Sequence, residues 1–399
     1  MRYNRRVLLL IFCISIFNYI DRYILSAVFP LIKADLNLSD TQLGLLASAF
    51  MIVYTLVSPF MGLIGDRIKR PFVIGGSAIF WSFATFASGL SASFNQLSFF
   101  RSLVGVGEAG YGTVSPSYLA EWFKKEVRAR VLSLYALAIP AGSAIGYMLG
   151  GYLGQKYGWR EAFYIVAFPG IILGSLALLL RESPEREKKE SLSFSDYRAL
   201  FSNKTYLLIA ASQAIGTFSV GGLSAWMPTY YVRNWAMTVA EAGFKFGAIT
   251  VAAGIVGNLA GGFLADYLRK YTKRSYFLVG YMTFFLSAPF AVLSLLAGSL
   301  QASLTFVFLA ELFIFMHSGP YHAAIVEITA PRMRSMAFAL DIFILHAFGD
   351  AVSPLVIGYF SDKVGLIIAI FFAAIYLIFG GFTSILAGRF YVKEHAYKT

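Results

Sequence analysis

The chain is short of charge. Of its 399 residues 14% are charged and 58% hydrophobic, whereas soluble domains carry about 25% and 45–50%, so an ordinary water-soluble globule is excluded. Cysteine is almost absent: Cys13 stands alone, which rules out an internal disulfide and leaves it as a packing residue. Histidine is nearly as scarce, with four in all. His317 and His322 are five positions apart and differ in facing by about 140° on a helix, so they do not form a metal pair, and no metal or cofactor is expected. Without clustered histidines and carboxylates at ligand spacing there is no catalytic constellation, and the chain is not read as an enzyme. A channel would need a hydrophilic stripe along several spans or a selectivity ring, and neither is visible.

What remains is long apolar runs. Bounded by charged or Gly/Pro-rich turns, they fall at about 7–31, 42–65, 72–90, 97–122, 128–153, 160–180, 204–231, 240–265, 275–298, 302–327, 334–360 and 365–389. Each is long enough to cross a hydrocarbon core of about 30 Å. The expected fold is an all-α membrane protein of twelve transmembrane helices with no separate soluble domain. The opening Met-Arg-Tyr-Asn-Arg-Arg imitates a secretory signal, but no small-x-small cleavage site follows and the apolar run continues past Arg22; it is read as the first span. The net charge of +12 is no sign of nucleic acid. With a cytoplasmic N-terminus, 25 of the 33 lysines and arginines fall in cytoplasmic segments and only Lys33, Lys156, Arg160, Arg233 and Lys363 fall outside, which puts both termini in the cytoplasm.

The longest hydrophilic stretch, from Arg181 to about Asn203, lies near the midpoint and invites a search for a repeat. Gly62 and Asp66 recur as Gly262 and Asp266, Glu121 and Arg128 as Glu327 and Arg334, and Gly151, Tyr152 and Gly158 as Gly358, Tyr359 and Gly365. All fall at corresponding span ends. The expected organisation is two pseudo-symmetric six-helix bundles, 1–180 and 204–399, joined by a cytoplasmic linker, 181–203. Parallel repeats of this kind are a recurrent transporter architecture, with substrate held between the halves near the midplane. Pro116, Pro140, Gly142, Gly146, Pro228, Pro289, Pro320 and Pro354 mark places where spans kink or pack closely.

Ionisable residues inside spans cost about 2.5–3.5 kcal/mol each even on insertion scales, and they face a protein interior or a water-filled cavity. Asp21 and Arg22 lie within the first span. Arg101 and Glu108 are seven apart on the fourth, nearly on one face. Glu311 lies in the tenth, and His346 and Asp350 share a face of the eleventh at i and i+4. These seven are the candidate proton-coupling and substrate residues. Burial disfavours a charged carboxylate and a neighbouring arginine favours it, a balance that an arriving anion can tip. A static salt-bridged cluster remains the alternative, and Asp341 is equally a span-edge residue.

The loop after span 2, Gly62-Leu-Ile-Gly-Asp66-Arg67-Ile-Lys69-Arg70, resembles the signature of the major facilitator superfamily. A degenerate copy, Gly262-Phe-Leu-Ala-Asp266-Tyr-Leu-Arg269-Lys270, falls between spans 8 and 9. Gly62, where close helix approach is expected, with Asp66, Arg67, Arg70, Gly262, Asp266 and Arg269, forms the expected conformational latch. Within the superfamily, Asn18-Tyr-Ile-Asp-Arg-Tyr23, Arg101-Ser-Leu-Val-Gly-Val-Gly-Glu-Ala109, Ala138-Ile-Pro-Ala-Gly-Ser-Ala-Ile-Gly146 and Gly349-Asp-Ala-Val-Ser-Pro354 resemble the spinster lipid-transporter family. That resemblance implies a monomeric, proton-coupled secondary transporter of a bacterial inner membrane, working by alternating access among membrane lipids. Asp21 and Arg22 would meet Arg101 and Glu108. The implied substrate is a lysophospholipid-like or sphingoid-phosphate-like amphiphile. A small organic anion is the alternative, because Asn-Tyr-x-Asp-Arg also occurs in organic-anion symporters.

Overall fold

The computed structural model describes residues 2–182, 194–330 and 333–396, and within them every regular element is helical. In chain order these are α1 (Arg2–Ala27), α2 (Phe29–Leu36), α3 (Asp40–Arg67), α4 (Arg70–Gly89), α5 (Phe94–Glu121), α6 (Lys125–Ala136), α7 (Ala138–Tyr157), α8 (Trp159–Leu178) and α9 (Phe194–Ser202). They continue as α10 (Lys204–Trp235), α11 (Val239–Arg269), α12 (Ser275–Leu296), α13 (Leu300–Phe315), α14 (Ser318–Ile328), α15 (Arg334–Leu345), a π-helical turn (His346–Asp350), α16 (Ser353–Val364) and α17 (Leu366–Ala396). Eleven segments of the described residues are long and apolar enough to cross a membrane. The twelfth span is α5, 28 residues long, whose Arg101 and Glu108 dilute its apolar character. The middle of the hydrophilic stretch, 183–193, lies outside the described residues.

Three spans are each built from two helices, and a proline stands in the first turn of the second: Pro140 in α7, Pro320 in α14 and Pro354 in α16. There the missing N–H costs nothing, because a first-turn N–H has no intrahelical acceptor. Pro116, Pro228 and Pro289 instead lie inside continuous helices. Ser39 closes a capping box on α3, accepting from the Gln42 N–H at 3.1 Å while its own N–H donates to Gln42 Oε1 at 2.9 Å. In the α2 segment, Asp35 accepts from Arg160 of α8 at 2.6 Å, which holds its carboxyl below the usual carboxylate range.

The chain divides into two compact units. One comprises Met1–Lys189, Ser224–Ala248 and Pro354–Asp362; the other comprises Glu190–Leu223, Ile249–Ser353 and Lys363–Thr399. In the first, α7 lies on α1 along a ladder of small residues. A Cβ at Gly142 would stand 2.6 Å from the Ile16 carbonyl, one at Gly146 2.9 Å from that of Ile20, and one at Gly154 2.7 Å from Val28. Small residues four apart let two helix backbones meet, and this contact fixes the face that α1 turns to the other spans. The α5 helix is placed in the same way: a Cβ at Gly105 would stand 2.4 Å from the Phe50 carbonyl oxygen of α3, and one at Gly107 2.7 Å from Trp81 of α4.

The sequence repeat has a structural counterpart. Gly158 and Gly365, which correspond in it, both have positive φ, 109° and 89°, at the turns into α8 and α17. A Cβ at Gly151 would stand 2.6 Å from the Val239 carbonyl oxygen at the start of α11, and one at its counterpart Gly358 2.3 Å from the Asp40 carbonyl oxygen at the start of α3. The signature glycines behave otherwise than the motif leads one to expect. At Gly62 a Cβ would meet only Thr113, at 3.4 Å, and at Gly262 nothing lies within 4 Å; the tight position is Gly65, 2.5 Å from Val114.

Candidate functional site: a buried charge cluster and its counterparts

Asp21, Arg22, Arg101 and Glu108 come together inside the first unit. They pair crosswise between α1 and α5 rather than as chain neighbours: Arg22 Nε donates to Glu108 Oε2 at 2.6 Å, and Arg101 Nη1 donates to Asp21 Oδ1 at 3.1 Å. Arg101 Nη2 also reaches the Asp21 carbonyl at 3.3 Å, and Thr85 of α4 donates to Asp21 Oδ2. Two cations and two anions leave the cluster neutral, the condition under which charges persist in an apolar interior. Aromatic rings close around it. The Arg22 guanidinium lies 4.7 Å from the Tyr54 ring centre, 5.0 Å from Tyr19 and 5.3 Å from Phe50, and Arg101 lies 5.5 Å from Phe50.

The four differ in access. Arg101 and Glu108 are fully buried and Asp21 is 2% exposed, while the Arg22 side chain keeps 12% of its surface. Glu108 Oε1 has no hydrogen-bond partner among the described residues. Arg22 is therefore the most accessible of the four, and it is the cation that pairs with Glu108.

In the second unit, Glu311 of α13 is buried and, among the described residues, accepts only from Thr250 Oγ1 of α11, at 3.3 Å. His346 Nδ1 lies 2.8 Å from Asp350 Oδ1, as the four-residue spacing suggested, but on a π-helical turn closed by the non-helical Gly349. Asp341, open to either role from its sequence position, is fully buried and accepts from Gln213 of α10 at 2.7 Å. Thr85, Thr250 and Gln213 carried no sequence signal, since a lone hydroxyl or amide in a span is also a common packing residue. His317 stacks against Phe284 at 5.2 Å and Tyr321 at 5.4 Å, as a core side chain does.

Of the signature residues, Asp66, Arg67 and Asp266 are exposed. Arg70 is buried against Glu121, and Arg269 reaches Glu327 at 2.8 Å, so each copy ends in one arginine–glutamate pair. Sequence inspection gave no hint of the network around Asp40. This 3%-exposed carboxylate accepts from Lys33 at 2.5 Å, from both Nη atoms of Arg233 at 2.7 Å and from Ser361 at 2.5 Å, while Asp362 takes the Asp40 and Thr41 N–H groups at 2.9 and 2.8 Å. The partners lie up to 322 positions apart, so no local pattern announces them.

The model of the Major Facilitator Superfamily matches residues 11–342. Protein spinster homolog 1 of Xenopus laevis is 32% identical over 389 residues, covering 91% of this chain and 74% of its own. The sphingosine-1-phosphate transporter SPNS2 of Xenopus tropicalis is 31% identical over 88% of this chain and 72% of its own. Among solved structures, a bacterial homolog of the human lysosomal transporter spinster, inward-facing and unoccupied, superposes with a TM-score of 0.89 over 98% of both chains at 23% identity. A D-xylose-proton symporter gives 0.75 over 97% of both at 16%; these two likenesses speak to the fold. A multi-pass membrane transporter rather than an enzyme, the chain belongs to the Major Facilitator Superfamily and, within it, to the spinster family.

Proposed function

We propose that this transporter works by alternating access, couples its cycle to protons and moves a lipid-like amphiphile with an anionic head, of the lysophospholipid or sphingoid-phosphate type. The observation that carries this reading is the Arg22–Glu108 pair. An anionic head group that draws Arg22 away leaves Glu108 fully buried without its cation, and protonation is then the cheapest way to neutralise it. Substrate binding and proton uptake are thereby linked through one arginine. Asp21, held by Arg101 and Thr85, completes the coupling group, with Glu311, His346 and Asp350 as its counterparts in the second half of the chain. The name of the SPNS2 relative supports the phosphate-bearing amphiphile.

Two six-helix halves, 1–180 and 204–399, rock about the linker at 181–203. The Asp40 network serves as the outer gate, since Arg233, Ser361 and Asp362 must leave α3 before Ser224–Ala248 and Pro354–Asp362 can move with the rest of their half. The two signature loops latch the cytoplasmic side in the opposite state. The basic-residue bias supports cytoplasmic termini in a bacterial inner membrane, with the chain working as a monomer.

In proteoliposomes carrying the purified protein, a pH gradient should drive accumulation of sphingosine-1-phosphate, and Arg22→Ala should abolish it. Accumulation indifferent to the gradient would overturn the coupling. Accumulation of a small carboxylate in place of the amphiphile would overturn the substrate class.

A further inference from the structure

The two buried carboxylates of α1 and α5 each have an arginine. Asp341 has none. It sits on α15, seven residues and about 10 Å from the helix start, fully buried. Its Oδ2 accepts one hydrogen bond, from Gln213 Nε2 at 2.7 Å, and its Oδ1 has no hydrogen-bond partner among the described residues. Among the described residues the titratable groups acting on it are Tyr206 of α10 and His346 at the start of the π turn, with no lysine or arginine among them. Tyr206 commits its proton to the Ala337 carbonyl at 2.8 Å. His346, with its partner Asp350, remains partly exposed, at 20% and 19% of side-chain surface.

A carboxylate at this depth with a single amide donor and no cation is poorly compensated, and the group sheds that penalty by holding a proton. The helix that carries it runs into a π-helical turn, an irregularity frequent at functional sites. Gly349 within that turn has φ −107° and ψ −107°, and a Cβ there would stand 2.9 Å from Thr217, so the turn depends on glycine. We propose that Asp341 is a further proton carrier of the transport cycle, protonated in the conformation described and positioned by Gln213. Resting on the proton-coupled reading above, it adds a site in the second unit that is separate from the arginine-paired cluster. The step is a proton transfer alone: the acid becomes a carboxylate and the proton passes to accessible water.

Infrared titration of the purified protein needs no substrate. The carbonyl band of protonated carboxyl groups should contain a component that vanishes as pH rises and that is missing in Asp341→Asn, whose amide oxygen still accepts from Gln213. Gln213→Leu keeps the carboxyl but removes the one donor that stabilises its charged form, so the midpoint should rise by about one to two pH units. The pH profile of sphingosine-1-phosphate uptake should move with it. An identical titrating band in Asp341→Asn, or an unmoved midpoint in Gln213→Leu, overturns the proposal. Should Asp341→Asn fail to fold, Gln213→Leu carries the test. A titrating band that depends on Asp341 in a parent whose uptake ignores the pH gradient would defeat the coupling reading; coupled uptake with a band independent of Asp341 would defeat only this assignment.

Discussion

Among the four residues of the paired cluster, function and stability should separate. Arg101 is the fully buried partner of Asp21, and its removal strands a carboxylate, so Arg101→Ala should cost about 3–5 kcal/mol of stability. Arg22 is partly exposed, so Arg22→Ala should cost less in thermal unfolding while still weakening uptake and exchange. Glu108→Gln should keep measurable substrate counterflow and lose gradient-driven uptake, because an amide cannot gain and lose a proton. A purely structural cluster behaves differently: every substitution then lowers folded yield and none separates counterflow from uptake. That Asp21, Arg22, Arg101 and Glu108 face an interior was legible because ionisable residues in apolar spans stand out and seven-residue spacing shares a helix face, while the meeting of the two pairs was implied only by the resemblance to the spinster family. Their crosswise pairing was not legible, since it depends on how α1 and α5 are turned toward each other. Asp341 was left open for a related reason, as hydropathy marks where a span lies but not which side chain is sealed by its neighbours.

At the scale of elements, sequence glycines divide into those that hold helices together and those that touch nothing. A Cβ at Gly146 would stand 2.9 Å from the Ile20 carbonyl oxygen of α1, and α1 carries Asp21 and Arg22, so Gly146→Val should push α1 out of place. Overpacking of this kind costs about 1–3 kcal/mol, and substrate exchange should fall with the lowered melting temperature. Gly262, with nothing within 4 Å, should accept alanine within about 0.5 kcal/mol, although the signature motif singles it out. Equal losses at the two positions would refute the ladder as what seats α1. The breaks at Pro140, Pro320 and Pro354 were anticipated as kinks, and they are starts of second helices because proline is tolerated in a first turn. Pro116, Pro228 and Pro289 look alike in sequence yet sit in unbroken helices, since neighbouring spans can satisfy the carbonyl that proline leaves unpaired.

At the scale of the whole molecule, the twelve spans followed from hydropathy and length, and the repeat from residue identities that the paired positive-φ glycines, Gly158 and Gly365, bear out in backbone conformation. The composition of the two compact units did not follow. Ser224–Ala248 and Pro354–Asp362 come after the linker in sequence and yet pack with the N-terminal spans, through contacts such as Arg233 with Asp40 and Gly358 with the Asp40 carbonyl. Under the proposed alternating access those contacts belong to one conformation that the transporter leaves during its cycle, and a sequence encodes all its conformations at once.

Orientation is the property of the whole chain that the basic residues alone address, and it fixes which way the cycle runs. If 25 of the 33 cations lie on the cytoplasmic side, the turn before α5 faces outward and the end of α9 faces inward. Replacing Cys13 by serine leaves a chain without thiols, and single cysteines can then be placed at Asn95 and Ser202, both exposed. A membrane-impermeant thiol reagent added to intact cells should label position 95 and spare position 202, and opening the cells should expose both. The reverse pattern would place Asp40 and its partners on the cytoplasmic side. The outer gate and the latch would then exchange places, and a pH gradient would have to be applied in the opposite sense to drive the same substrate movement.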